Sequence, residues 1–487
     1  MQVLVTGATG YVGGRLVPKL LDEGHSVWVL VREKDRLKDV PWRSRVDIMV
    51  GDLLDRKAVS KAVHSQDALF YLVHSMSSAG DFEEAEQTVA ANLAEESLAA
   101  GVKRIVYLGG LHPTGPLSRH LRSRKAVGEV LLRSGVPTIA LQAGVIIGSG
   151  SASFEMIRHL TEILPAMPAP KWVRNKIQPI AIRDVLHYLV KSIDVAPEIN
   201  RPFDIGGPDV FSYAQLMNGY AVEAGLNRRH IIALPVLSPW LASQWVNFVT
   251  PIPRSLAVPI IESLLHDAVT KNRDIDEIIS PPDGGLTGYR RAVELALVRM
   301  RSGEVETSWI NSEVVGAPSD PLPSDPEWSG HKVYTDIRTV EVDAPATELW
   351  KVVEGIGGEN GWYSLPMAWA ARGFLDEIVG GVGLRRGRRD PNTLLTGDAL
   401  DFWRVEKIIK GKFLRLRAEM KLPGLAWLEF SVDPRSKSTC VLRQRAIFFP
   451  QGLGGRLYWL LVTPLHGIVF EGMARSIGRT ANQNFMK

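Results

Sequence analysis

The sequence has a single cysteine, Cys440, and almost no excess of charge of either sign. One cysteine excludes an internal disulfide and any zinc or iron–sulfur site built from several cysteines, so we predict no metal site and a reducing compartment. Lysine and arginine number 57 against 53 aspartate and glutamate residues, a balance of +4 over 487 residues. Such a small excess predicts no nucleic-acid partner.

Long hydrophobic runs are also scarce. Met1–Gly7 has the pattern of a buried strand that enters a glycine turn, not of a charged leader with a cleavage site. Ile231–Val249 is interrupted by two prolines, and Leu457–Phe470 has only 14 residues, fewer than the roughly 20 that span a bilayer. We therefore expect a cytoplasmic protein without a membrane span. Both runs are amphipathic and contain tryptophan, so peripheral contact at the inner face of a membrane stays open.

Strand-length apolar runs alternate with helical stretches from Met1 to about Gly225. The runs are continuously apolar, which predicts strands buried on both faces and hence a doubly wound parallel Rossmann sheet of the α/β class. Helices are predicted over residues 12–23, 83–100 and 122–134. A glycine follows each of them, where a left-handed backbone ends a helix at little cost (Gly24, Gly101 and Gly135).

The pattern changes after residue 315. Gly316–Trp328 holds four prolines in thirteen residues and predicts an extended linker over 316–330. Beyond it, period-two runs and an apolar helix at about 453–477, kinked by Pro464, predict an antiparallel sheet wrapped on a long helix. We therefore predict a Rossmann domain over 1–315, with an apolar substrate lobe at about 150–300, and an α+β helix-grip domain over 331–487.

A glycine-rich turn follows the first predicted strand and opens the first helix. Glycines at this point allow a tight turn and let backbone N–H groups approach a pyrophosphate at a helix N-terminus. The turn therefore predicts a dinucleotide site, with these candidate cofactor-binding residues: Thr6, Gly7, Thr9, Gly10, Tyr11, Val12 and Gly13.

The Gly-x-x-Gly-x-x-Gly spacing of this turn resembles that of the extended and atypical short-chain dehydrogenase/reductases. The resemblance covers about residues 1–300 and includes Gly51-Asp52-Leu53 and Pro202–Gly207. It implies that Asp52, with Leu53 beside it, contacts the adenine of a bound NAD(P). It also implies that the loop after the fourth strand lines the ribose, through Leu72, Val73 and His74.

The second predicted strand ends in Val31-Arg32, where an NAD enzyme would place an acidic residue for the ribose 2′-hydroxyl. An arginine there suits a 2′-phosphate through a charge-assisted contact, so NADP is the predicted cofactor. Glu33 weakens this prediction, and NAD remains the alternative, with Arg32 then a solvated surface residue.

The resemblance also implies a catalytic Tyr-x-x-x-Lys pair, in which lysine holds the nicotinamide ribose and tyrosine exchanges a proton with the substrate. In this chain the lysine corresponds to Lys125, but the tyrosine position is Leu121 and the serine position falls among glycines, Gly109 and Gly110. A leucine cannot transfer a proton. His112 and His120 are candidate replacement acids, with ordinary loop histidines as the alternative.

Two functions remain open at this point. Trp240, Trp245 and Phe248 in the substrate lobe favour an oxidoreductase that acts on a hydrophobic ligand such as a quinone. The missing catalytic pair instead resembles the catalytically silent branch of the superfamily, for which the accessory subunit of the respiratory NADH:quinone oxidoreductase is a model. A protein of that kind would bind NAD(P) and regulate or assemble a partner complex.

Residues 331–487 resemble START-like domains of the polyketide-cyclase group, and a domain often fused behind such reductases. The motifs that carry this resemblance are Arg372–Asp376, Gly380–Arg389 and Gly397–Val405. It implies an apolar cavity between sheet and helix. The candidate wall residues are Trp403, Trp427, Phe448 and Trp459, for which plain core packing is the alternative.

Overall fold

The structure is a computed structural model that describes residues 1–38, 40–73, 82–113, 115–234, 252–301, 333–364 and 393–486, together with residues 250, 388 and 390. The chain divides into two compact units, Met1–Gly330 and His331–Lys487. The predicted linker over 316–330 lies outside the described residues, and so do Trp240, Trp245 and Phe248 of the predicted substrate lobe.

The first unit is built on a parallel sheet, as predicted, and the sheet has seven strands in the order β11-β6-β5-β4-β1-β2-β3. Its central strands are buried on both faces, and the edge strand β3 is half-exposed. The strands of the sheet are β1 (Gln2–Thr6), β2 (Ser26–Val31), β3 (Asp47–Val50), β4 (Ala68–Tyr71), β5 (Arg104–Gly110), β6 (Thr138–Ala143) and β11 (Arg201–Ile205).

Helices cover both faces of this sheet. Residues from α1 and α6 pack on one face, and those of α2, α3 and α4 pack on the other. Gly24, Gly101 and Gly135 follow three of these helices with positive φ, which confirms the predicted helix ends. The helices are α1 (Tyr11–Asp22), α2 (Arg56–Val63), α3 (Phe82–Ala99), α4 (Arg119–Leu132), α5 (Ala152–Ile163), α6 (Ile182–Lys191), α7 (Tyr213–Glu223), α8 (Arg254–Ser263) and α9 (Tyr289–Arg301).

Helix α4 begins a turn earlier than the predicted residue 122. The side chain of Ser118 accepts a hydrogen bond from the backbone N–H of Leu121, which caps the helix at its first turn. The ring of Tyr107 on β5 lies against this helix, and its hydroxyl donates to the Arg124 carbonyl at 2.9 Å. A Cβ at Gly109 or at Gly128 would lie only 3.1–3.2 Å from that ring, so both positions pack tightly on it.

A separate apolar core lies in residues 145–297 of this unit. It is formed by α5, α7, α8 and α9 together with short strand pairs, namely β7 (Ile146–Ile147) with β10 (Ile180–Ala181), β9 (Lys176–Ile177) with β12 (Phe211–Ser212), and β8 (Ala166–Pro170) with β13 (His230–Leu234). The described part of the predicted substrate lobe is thus a packed subdomain with its own core.

The second unit is an antiparallel sheet packed on a long C-terminal helix, as predicted. The sheet order is β14-β19-β18-β17-β16-β15, and α10 and α11 pack with the strands around one core. The elements are β14 (Tyr334–Val342), α10 (Ala346–Glu354), β15 (Ala399–Leu400), β16 (Trp403–Ile409), β17 (Phe413–Ala418), β18 (Gly424–Pro434), β19 (Cys440–Pro450) and α11 (Gly452–Met486).

The four candidate wall residues of this unit do not share one face. Trp403 belongs to the core between sheet and helices, and Phe448 stacks on Trp459 of α11 at 5.6 Å. Because side chains alternate along β18 and Leu428 is in the core, Trp427 points to the opposite face, where its Nε1 donates to Glu406 at 2.9 Å. Trp427 therefore cannot line the same cavity as the other three residues, which corrects the prediction.

Helix α11 differs in character between its two halves. Its second half supplies Phe470, Met473 and Ile477 to the core, whereas most of its first half is exposed. By length and composition alone, α11 is also long and apolar enough to cross a membrane, although the core helix of a soluble protein passes the same test. It continues to Met486, beyond the predicted end at residue 477.

Candidate functional site

A cavity of about 690 Å³ runs along the carboxyl-terminal edge of the parallel sheet. Residues at or just after the ends of six adjacent strands, β3, β2, β1, β4, β5 and β6, line it. Strands in a sheet lie about 4.8 Å apart, so the cavity extends over roughly 24 Å. This is the edge at which open α/β sheets bind ligands, on either side of the point where the strand order reverses.

The glycine turn forms the middle of the cavity. Gly7 has a φ of 80°, and a Cβ there would lie 2.6 Å from the Leu72 carbonyl oxygen. A Cβ at Gly13 would lie 2.3 Å from the Gly7 carbonyl oxygen, so the chain's own packing requires both glycines. The contacts of Gly10 differ, because a Cβ there would meet only the Gly7 carbonyl oxygen, at 3.2 Å.

Gly10 therefore leaves space on the cavity side, where it also precedes the first turn of α1. It caps this helix without a side chain, and no acidic residue occupies the first turn. Backbone N–H groups and the positive end of the helix dipole are thus available to an anionic group. This arrangement fits the pyrophosphate of a dinucleotide.

One end of the cavity, next to β2 and β3, is lined by charged side chains. Arg32 follows β2 directly, and Glu33 and Arg36 lie beside it. Asp52 follows β3, and its Oδ1 accepts the backbone N–H of Leu54 at 2.9 Å, which fixes the turn at this edge. The structure therefore brings Arg32, Asp52 and Leu53 to one end of the cavity, with two arginines and one glutamate at its rim.

At the other end the cavity contains one arginine and one buried carboxyl group. Arg124 of α4 and Glu86 of α3 both line it, and Glu86 is buried and accepts a hydrogen bond from the Ser123 hydroxyl. The remaining wall at this end is mostly apolar and includes residues of the 145–297 subdomain. It consists of Tyr71, Leu108, Ala143, Ile146, Ala152 and Leu256.

Two tyrosines near this end do not replace the missing catalytic tyrosine. Burial raises the pKa of Tyr107 to about 12, and its hydroxyl is engaged by the Arg124 carbonyl. Burial raises the pKa of Tyr71 well above its usual range, with the charges of Tyr107 and Glu86 adding to the effect. Neither phenol is therefore suited to exchange a proton near neutral pH.

Most of the residues predicted to bind a cofactor line the cavity, namely Gly7, Thr9, Gly10, Tyr11, Val12, Gly13, Arg32, Asp52, Leu53, Leu72 and Val73. Thr6 does not, because its buried hydroxyl donates to the Phe70 carbonyl at 3.0 Å and thereby joins β1 to β4. His74 lies outside the described residues.

The three predicted catalytic residues also lie away from the cavity lining. Lys125 is half-exposed in a surface recess, where its Nζ lies 3.8 Å from Glu129 Oε1. His112 is half-buried; burial lowers its pKa, and the charges of Lys125 and Lys271 lower it further. His120 lies in the first turn of α4 and is not part of the lining. Arg124 lines the cavity where Lys125 was expected, and the catalytic roles of Lys125, His112 and His120 stay predictions.

The side chain of Leu121 explains this shift of one residue. A Cβ at Gly110 would lie 2.8 Å from Leu121 Cδ2 and 3.7 Å from Arg124 Nη1. Leu121 therefore fills the space beside the end of β5, and the guanidinium of Arg124 passes next to it. Arg124 could have been proposed from the sequence, because it directly precedes Lys125 in the basic run from Arg119 to Lys125. Glu86 had no comparable signal, because it lies in a helix with several glutamates.

A buried ion pair supports the wall beyond β6. Glu155 of α5 is fully buried, accepts the backbone N–H of Gly150 at 2.8 Å, and is paired with the buried Arg158. On the other side, Arg15 of α1 donates to the Ser149 carbonyl at 3.2 Å. Because Gly150 lines the cavity, these charged contacts hold a part of its wall in place.

Family comparisons agree with this geometry. The family described as "NAD(P)H-binding" matches residues 7–134, and the family "Protein of unknown function (DUF2867)" matches residues 328–473. The first unit is an NAD(P)-binding Rossmann domain related to the short-chain dehydrogenase/reductase and epimerase-reductase proteins. The START-like character of the second unit stays a prediction.

Individual relatives match the first part of the chain. Triphenylmethane reductase of Citrobacter sp. has a TM-score of 0.50 at 17% identity, over 61% of this chain and 100% of its own, which shows the fold alone. A "3 beta-hydroxysteroid dehydrogenase/Delta 5-->4-isomerase" of Mycobacterium tuberculosis is 35% identical over 193 residues, 33% of this chain and 50% of the relative. The "Ceramide reductase" of Caulobacter vibrioides is 24% identical over 309 residues, 60% of this chain and 93% of the relative.

The chain thus spans about half the length of the mycobacterial enzyme that it matches. The mycobacterial relative is named as a dehydrogenase and the Caulobacter relative as a reductase. The first unit has the fold of an NAD(P)-binding oxidoreductase.

Proposed function

We propose that the protein is an NADP(H)-dependent oxidoreductase that acts on a hydrophobic ligand such as a quinone. The observation that carries this proposal is the single cavity that joins Arg32 and Arg36 at one end to Arg124 and an apolar wall at the other. Two guanidinium groups at the end of β2 favour a ribose 2′-phosphate over a 2′-hydroxyl. The glycine turn between the two ends would hold the pyrophosphate.

When bound, the cofactor would supply or accept a hydride at the apolar end of the cavity. Arg124 would stabilise negative charge that develops on a substrate oxygen, because its guanidinium is permanently charged and lies in a largely apolar wall. The missing tyrosine matters less for a quinone than for a ketone. A quinone oxygen can take its proton from water, whereas an alkoxide needs a positioned acid.

The apolar lining at this end of the cavity favours the binding of a hydrophobic substrate rather than a sugar nucleotide. Leu256 brings the subdomain of residues 145–297 to the cavity, beside Leu108 and Ile146. Two of the curated relatives are named for a steroid and a ceramide, which are both lipids. A lipid carbonyl or hydroxyl is therefore the substrate class to compare with quinones in the same assay.

The test uses purified full-length protein. Titration should give tighter binding of NADPH than of NADH, and rapid mixing with short-chain quinones should oxidise NADPH faster than mixing with simple or steroid ketones. Gly10→Val is the control, because its methyl groups would block the approach of the pyrophosphate. Fast turnover of ketones with little turnover of quinones would contradict the quinone proposal but leave an NADP-dependent reductase.

A second candidate is a catalytically silent NADP-binding protein that regulates or assembles a partner complex. Leu121 and Gly110 favour it, because the resemblance to short-chain dehydrogenase/reductases implies a catalytic tyrosine at position 121, and the Leu121 side chain fills the space beside Gly110. Stoichiometric binding of NADPH without turnover on any quinone, ketone or hydroxysteroid would support this function and exclude the first.

A further inference from the structure

The first half of α11 exposes a row of large apolar side chains, which we call the leucine stripe: Leu453, Leu457, Leu460, Leu461, Leu465 and Ile468. Leu460 and Leu461 are 69% and 75% exposed. The other four are 39–64% exposed, and all six lie on one helix. Large exposed apolar patches on a protein surface mark sites that contact a partner or a membrane.

The stripe occupies one face of the helix and ends abruptly. At 100° per residue its six members cover an arc of about 140°. Further along the helix, the same face carries Glu471, Arg475 and Arg479, and Glu471 is paired with Arg475. The face that is apolar up to Ile468 therefore carries charged side chains from Glu471 to Arg479.

The other side of this half-helix is held on the sheet. Trp459 stacks on Phe448 at 5.6 Å and on Tyr334 at 5.1 Å, so the helix cannot rotate to hide the stripe. Near its start, the backbone N–H of Gln451 donates to the Pro423 carbonyl at 2.9 Å. The exposure of the leucines is thus imposed by the packing of the opposite face.

Basic residues lie beside the stripe. The sequence has no aspartate or glutamate from Gln451 to Phe470, whereas Arg456 lies in this segment. Lys421 lies in the loop that contacts the start of the helix, and Glu419 of the same loop is paired with Arg404. By helical position, Arg456 borders the stripe on one edge and Tyr458 borders it on the other. Basic and aromatic residues around an apolar helix face suit anionic headgroups and the acyl boundary of a bilayer.

We propose that the leucine stripe docks the protein on an anionic lipid bilayer, with only the first half of α11, up to Ile468, lying in the interface. The stripe is about 24 Å long, shorter than the roughly 30 Å hydrocarbon layer. The helix that continues from it is locked in the core through Met473 and Ile477, so a span would unfold the second unit. An arc of 140° is also broader than the a/d seam of a two-helix contact between copies. The proposal does not depend on the cofactor chemistry.

Two single-cysteine positions on the same helix face test this proposal. Cys440 is 1% exposed, so an added surface cysteine can be labelled selectively in the folded full-length chain. We would attach an environment-sensitive fluorophore to L461C or, as the matched control, to R475C. With vesicles of 70:30 phosphatidylcholine and phosphatidylglycerol, the label at 461 should shift to the blue and be quenched by brominated acyl chains. The label at 475 should do neither.

A second experiment measures vesicle partitioning of unlabelled protein. Leu460→Glu with Leu461→Glu should reduce binding at least about 100-fold, because two apolar anchors become charged. Leu98→Glu with Val222→Glu, at exposed apolar positions of the first unit, should leave binding unchanged. Pure phosphatidylcholine or high salt should weaken binding about tenfold. Thermal unfolding confirms that each variant is folded.

Several results would overturn the proposal. The first is that the wild-type protein does not bind the anionic vesicles. The second is that both double variants reduce binding equally. The third is a stable dimer that the Leu460 and Leu461 substitutions convert to monomer without any vesicle binding in the wild type, which would assign the stripe to a second copy of the chain.

Discussion

Replacing Arg32 by glutamate should reverse the preference for NADPH over NADH. Arg32 and Arg36 both line the end of the cavity next to β2, and both are exposed. A charge-assisted hydrogen bond contributes about 1.5–3 kcal/mol, and solvent exposure favours the lower limit, or roughly a tenfold change in affinity. Repulsion between the new carboxylate and the 2′-phosphate should add about another tenfold, while Arg36 retains part of the attraction.

The dissociation constant for NADPH should therefore rise about 100-fold in Arg32→Glu. That for NADH should fall a few-fold, since a carboxylate accepts the 2′-hydroxyl. Isothermal titration of both cofactors at low and high salt measures these changes. Lys34→Glu is the matched control, because it changes the charge by the same amount in the same loop but does not line the cavity. Equal affinities of the wild-type protein for both cofactors, or equal effects of the two substitutions, would refute the reasoning.

Three further predictions concern stability. His112→Gln should reduce the loss of stability at acid pH. Burial keeps the pKa of His112 in the folded protein below its usual 6.5, so the unfolded chain binds a proton first as the pH falls, and the free energy of unfolding decreases. Urea unfolding about one pH unit above and one pH unit below 6.5 measures this decrease in the wild type and in the variant. Gly13→Ala should lower the free energy of unfolding by about 2 kcal/mol and abolish NADPH binding, since its Cβ would lie 2.3 Å from the Gly7 carbonyl oxygen; an unchanged melting temperature would contradict it. Trp427→Phe should lower the free energy of unfolding by about 1–3 kcal/mol, because it removes the N–H donor to Glu406, and it should leave the affinity for apolar probes unchanged. Denaturant titration measures the first effect, and a probe-binding assay measures the second.

The architecture of the first unit could be predicted because its strands are buried on both faces. Continuous apolar runs such as Arg104–Gly110 leave little choice but a parallel sheet covered by helices, and the glycine turn fixed one position on its edge. The residues at the apolar end of the cavity could not be predicted in the same way. Whether Arg124 or Lys125 lines that end depends on how Leu121 packs beside Gly110, and one residue along a helix turns a side chain by about 100°.

The second unit illustrates a different limit. Period-two patterns predict β17, β18 and β19 but do not predict the strand Trp403–Ile409. Its pairing with β17 shifts register between Val405 and Lys407, so alternation breaks inside the strand and the sequence pattern fails there. The position of Trp427 on the opposite face follows from regular alternation along β18, and this alternation is incompatible with a cavity that Trp427 would share with Trp403 and Phe448.

The ring of Tyr107 has an evolutionary consequence. It lies between Gly109 on its own strand and Gly128 on α4, and a Cβ at either glycine would approach it to 3.1–3.2 Å. The three positions therefore constrain one another and should change together among descendants of this chain. A lineage that acquires alanine at 109 or 128 should carry a smaller side chain at 107, and a lineage that loses the tyrosine should gain freedom at both glycines.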